Sequence, residues 1–60
     1  MKIYIIEKKK FEAIKSHIDG YVFYREKDDN FVEVKVVGPL KQLTDLLDKI
    51  KTDSYIETIK

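Results

Sequence analysis

From Phe31 to Val37 the chain alternates. Val32, Val34 and Val36 fall on one side, with Phe31, Glu33, Lys35 and Val37 on the other. A period of two with valines on one side describes a strand that lays one face on a core and leaves the other uncovered. Such a strand needs a sheet, and the apolar pattern elsewhere supplies one. Residues 2–7 form a run of apolar, β-branched and aromatic residues and read as a strand buried on both faces. Residues 21–27 (Tyr-Val-Phe-Tyr-Arg-Glu-Lys) are strand-like, and Asp28, Asp29 and Asn30 then form a polar turn that joins them to residues 31–37 as a hairpin. Residues 54–59 are a last short strand.

Two helices separate these strands. Phe11, Ile14 and Ile18 recur at helical spacing within residues 9–18, and Gly20 follows as a stop signal. Gly38 and Pro39 open a second helix, with Pro39 expected at its first position. Its stripe is Leu40, Leu43, Leu46, Leu47 and Ile50, and Lys49 and Lys51 near its end favour the helix dipole. The order β-α-β-β-α-β is the split β-α-β pattern of ferredoxin-like α+β folds. Right-handed crossovers place both helices on one face of a four-stranded antiparallel sheet, with the first and third strands central. Sixty residues make a single domain, spanning 1–60, that buries only about 60% of the surface its unfolded chain exposes. Two domains, a large enclosed cofactor cavity and, without cysteine, a disulfide framework are excluded.

Charge narrows the class of partner. The chain carries 12 Lys or Arg against 11 Asp or Glu, a net charge of +1, and Arg25 is its one arginine. A pI of 7.9 is low for a domain that binds nucleic acid by bulk electrostatics, where values above about 9 are usual. Ile3-Tyr4-Ile5-Ile6, the longest apolar run, is far short of the about 20 residues of a membrane span, and it is too short for a signal peptide. A soluble, cytoplasmic protein without a membrane partner is expected.

If both helices cover one face, the other is the working surface. We expect Ile3 and Ile5 to point inward with the three valines, and Tyr4, Ile6, Phe31, Glu33, Lys35 and Val37 to point outward as partner-binding residues. The second strand exposes either Tyr21, Phe23 and Arg25 or Val22, Tyr24 and Glu26. The fourth exposes either Tyr55, Glu57 and Ile59 or Ile56 and Thr58. Either way the open face carries aromatic and aliphatic groups among a few charges, and contiguous apolar surface of this kind marks a partner site. Small domains also gain stability by association. The expected function is a noncatalytic protein-interaction or regulatory module, homodimeric through this face. The sheet edges offer a different mode, strand addition to a partner.

Other groups suggest sites of their own. Lys8, Lys9 and Lys10 begin the first helix, where free backbone N–H groups and three ammonium groups can hold an anion; the alternative is a solvated lysine run. His17, the lone imidazole, reads as a favourable charge at a helix end. Asp28, Asp29 and Asn30 fit a turn better than the spacing of a calcium loop. Ser16, Thr44, Thr52, Ser54 and Thr58 lack the glycine context of a nucleophile. With no nucleophile–base pair, phosphate loop or metal-ligand set, the expectation is no enzyme activity, no metal and no cofactor.

Two resemblances extend this reading. Ile3-Tyr4-Ile5-Ile6 resembles the start of the first-strand hexamer of the RNA-recognition motif, with Tyr4 at its aromatic position. Lys27-Asp28-Asp29-Asn30-Phe31-Val32-Glu33-Val34 is similar to that family's third-strand octamer, with Lys27 at the basic position and Phe31 at one stacking position. Asp29 stands where a second ring belongs, and the octamer's glycines are missing. This resemblance implies single-stranded RNA or DNA stacked on Tyr4 and Phe31. The whole succession of elements also resembles ACT-type regulatory modules, and residues 21–59 resemble the ligand-sensing half of feast/famine regulators. That resemblance implies dimerisation and small-ligand sensing at a dimer interface. Glu7-Lys8-Lys9-Lys10 replaces the glycine-containing ligand loop of ACT domains, so no binding residue transfers.

Overall fold

A computed structural model describes residues 2–38 and 40–56. Its elements follow the expected order: β1 (Lys2–Glu7), α1 (Lys8–Ile18), β2 (Val22–Glu26), β3 (Phe31–Val36), α2 (Lys41–Ile50) and β4 (Asp53–Ile56). The strands form one antiparallel sheet in the order β2-β3-β1-β4. Two split β-α-β units interleave: β1 and β2 flank β3, while β3 and β4 flank β1. The result is a mixed α+β domain with β1 and β3 central, as the element order implied.

Local chemistry sets the boundaries. The Asp19 N–H donates to the Lys15 carbonyl at 2.9 Å, and Gly20 turns the chain out of α1 with φ +91°, a left-handed conformation that suits glycine. In the β2–β3 hairpin one carboxylate oxygen of Asp28 accepts the N–H groups of Asn30 (2.8 Å) and Phe31 (3.0 Å). That Asx turn ends the strand pairing at Lys27, whose N–H donates to the Phe31 carbonyl at 3.0 Å. The loop also reaches α1: the Lys8 N–H, one of the helix's unpaired donors, is satisfied by the Asn30 carbonyl at 2.8 Å. Helix α2 begins at Lys41 with Leu40 as its N-cap. Pro39, expected at the first helical position, lies outside the described residues, as do residues 57–59 of the expected last strand.

Both helices pack on one face of the sheet. Phe11 and Ile18 of α1 and Leu47 of α2 close over Tyr4, Ile6, Val22, Val32 and Val34, with Ile14, Leu43, Leu46 and Ile50 at the margin. The valines of β3 are inward as expected, but the parity expected for β1 is reversed. Tyr4 pairs with Val34 and Ile6 with Val32, so Tyr4 (2% exposed) and Ile6 (0%) belong to the core beneath the helices. Ile3 and Ile5 take the opposite face. All four residues are apolar, so alternation within β1 alone favoured neither side; pairing with the valine strand decided it.

Candidate interaction surface

The face away from the helices can be built row by row from strand register. Phe23 pairs with Lys35, Lys35 with Ile3, and Ile3 with Tyr55. One residue pair further on, Arg25, Glu33, Ile5 and Asp53 form the second row. Phe31 and Glu7 continue the surface beyond Glu33 and Ile5. Ile3 and Ile5, flanked by these neighbours, are only 1% and 7% exposed although no helix lies over them. The edges are different. Phe23 on β2 is 69% exposed and Tyr55 on β4 is 45% exposed. Arg25 and Asp53 are also exposed, and the Arg25 Nε donates to Glu33 Oε2 at 3.1 Å.

Of the six residues expected to bind a partner, four remain on or beside this face. Phe31, Glu33 and Lys35 lie on it half-buried, and Val37 is exposed just past the end of β3, its N–H held by the Tyr21 carbonyl at 2.9 Å. Tyr4 and Ile6 are not surface residues, because the helices cover the side chains that share a face with Val32 and Val34. Tyr4 and Phe31 consequently stand on opposite faces and cannot form a common stacking platform. Phe23, Arg25, Asp53 and Tyr55 enter the surface instead. The hairpin contained part of this answer: with the valines inward, pairing of Lys27 with Phe31 places Phe23 and Arg25 outward. The parity of β4 had no such local signal.

The remaining candidates are dispersed. Lys8 forms an ion pair with Glu26 at 3.2 Å, and the cleft beside Lys8 and Lys9 is also lined by Glu7, Glu12 and Asp29, so carboxylates offset its positive charge. Lys10 is exposed on the first turn of α1, and His17 lies in the last turn, beside an open apolar cleft with Tyr21, Leu40 and Leu43. On the helix side Tyr24 is roofed by Phe11, with ring centroids 4.7 Å apart, and by the Lys15 ammonium at 5.1 Å. The Tyr24 hydroxyl raises the Lys15 pKa, chiefly by hydrogen bonding. Among the described residues no group of His, Asp and Glu is gathered to hold a metal ion, and no helix is long and apolar enough to cross a membrane.

No family model, curated protein or solved structure matches this chain. The surface must be read from its own chemistry: exposed aromatic rings at opposite edges with Lys35 and the screened Ile3 between them, and an adjoining row of Arg25, Glu33, the screened Ile5 and Asp53.

Proposed function

We propose that this chain is a noncatalytic protein-interaction module that works through its uncovered sheet face and forms a homodimer there. The observation that carries this reading is the exposure of Phe23 and Tyr55 on a face whose centre is Ile3 and Ile5. Exposed aromatic side chains and an arginine are among the residue types enriched in protein interfaces. A domain of sixty residues with one thin core also gains stability when exposed aromatic surface such as Phe23 and Tyr55 is covered by a second copy. The nucleic-acid reading loses its second ring, since Tyr4 is in the core, and it retains Glu33 and Asp53 on the face, where they repel phosphate.

Sedimentation equilibrium from about 5 to 500 µM tests the proposal, a range that brackets weak association. The expected result is a concentration-dependent dimer, reduced to monomer in Phe23→Ser and Tyr55→Ser, both retaining the far-ultraviolet circular dichroism of the parent. A parent chain that stays monomeric throughout the range overturns it.

A further inference from the structure

The exposed groups at the two edges of the open face are complementary and cannot satisfy each other within one chain. Phe23 and Tyr55 are in the same row, as are Arg25 and Asp53, but three strand spacings of about 4.8 Å separate the members of each pair. That distance, about 14 Å, is beyond the reach of either pair. Within these two rows each edge therefore carries one aromatic ring and one charge, and the charges have opposite sign. We propose that a second copy of this chain packs face to face on the first, about a two-fold axis parallel to the strands and running between β3 and β1. This rests on the homodimer reading above and specifies its geometry.

Such an axis exchanges the two edges while keeping each row at its level. Strand β2 of one copy lies over β4 of the other, so Phe23 meets the other copy's Tyr55 and Arg25 meets its Asp53. Every contact occurs twice, as an isologous interface requires. Lys35 and Glu33 come over Ile3 and Ile5, where their methylenes cover the aliphatic centre. Sheets packed face to face lie about 10 Å apart, which leaves room for a layer of rings between them.

The chemistry of Arg25 favours this arrangement. A guanidinium has five N–H donors in a fixed fork, and within the chain Arg25 uses Nε for Glu33. Among the described residues its two η nitrogens have no partner, and the side chain is 75% exposed. Asp53 gives one carboxylate oxygen, Oδ1, to the Ser54 N–H at 2.8 Å, and its other oxygen has no partner among the described residues. The fork and the free oxygen match across the two-fold, and the net charge of +1 adds little repulsion between copies. Placing the two-fold across the strands instead would set Arg25 over the other copy's Phe23 and Asp53 over its Tyr55. It would also leave Asp53 without a cation.

Charge reversal with mixing tests the axis. Arg25→Asp and Asp53→Arg are each studied alone and in a 1:1 mixture by sedimentation equilibrium, with circular dichroism as the check on folding. Each variant alone sets two like-charge pairs across the axis, and its self-association is expected to weaken by about tenfold or more. In the mixed dimer one copy carries aspartate at both positions and the other carries arginine at both. Each of the two contacts then joins opposite charges again, so affinity is expected to return to within about threefold of the parent. A parent chain that dimerises, with variants that self-associate as tightly as it does or a mixture that recovers no affinity, overturns the axis and leaves the homodimer standing. A monomeric parent overturns both.

Discussion

Two aromatic side chains on different strands of the sheet show how much a residue's face decides. Tyr4 is buried in the core cluster that holds Val34 and Leu47, with the Lys2 ammonium 5.1 Å from its ring centroid, whereas Phe23 is 69% exposed. Removing a buried aromatic costs about 3–5 kcal/mol, through lost burial and the cavity left behind. A domain of this size has only about 3–9 kcal/mol of stability in total. Tyr4→Ala is therefore expected to lose about a third or more of the chain's stability in urea titrations at 25 °C. Phe23→Ala, measured on dilute monomer, should shift stability by less than about 0.5 kcal/mol, as at other exposed sites. Equal losses at the two positions would contradict the faces assigned to them.

At the scale of elements, β1 and α2 are joined by packing and by a small charge cluster. Leu47 shares the core cluster with Tyr4 and Val34, and next to it in the chain Asp48 Oδ1 lies 3.2 Å from both the Lys2 and Lys51 ammonium groups. Hydrogen bonds from Lys51 and then Lys2 hold the Asp48 carboxyl below its ordinary pKa. The hydrogen bond to Asp48 raises the Lys2 pKa, against a partial desolvation that lowers it. A depressed carboxyl contributes stability above its unfolded pKa, near 3.8, and loses it as pH falls through the lower folded value. A raised lysine contributes below its unfolded value, 10.5, and loses its share as pH rises through the higher folded one. Thermal unfolding of Asp48→Asn should fall below the parent near neutral pH, the difference shrinking as pH falls through the folded Asp48 pKa, below 3.8, and as pH rises through the folded Lys2 pKa, above 10.5. A constant difference across that range would mean the cluster acts through packing alone.

For the whole molecule, one sheet with helices on a single side leaves a second face on which Phe23 and Tyr55 stand exposed at the edges. If a second copy covers it, folding and association are linked, and the melting temperature depends on concentration. A tenfold increase contributes about 1.4 kcal/mol per dimer, or about 0.7 kcal/mol per chain. That corresponds to a rise of about 3–6 °C for a domain of this length, readable by scanning calorimetry. A melting temperature independent of concentration in the dimeric range would separate folding from association.

The sequence by itself determined the six elements, their order and the inward valines of β3, because those features rest on local periodicity and turn chemistry. Val32, Val34 and Val36 stand against charged neighbours, and α2 has a wide leucine stripe, so each announces its own face. Ile3, Tyr4, Ile5 and Ile6 announce none, because an unbroken apolar run satisfies either parity. Which pair entered the core was decided only when β1 paired with β3 and the helices closed over the valine side. The same register, carried across to both edges, brought Phe23, Arg25, Asp53 and Tyr55 onto one surface from segments far apart in the chain. That juxtaposition depends on non-local hydrogen bonding, and period-two patterning within a single strand holds no information about it.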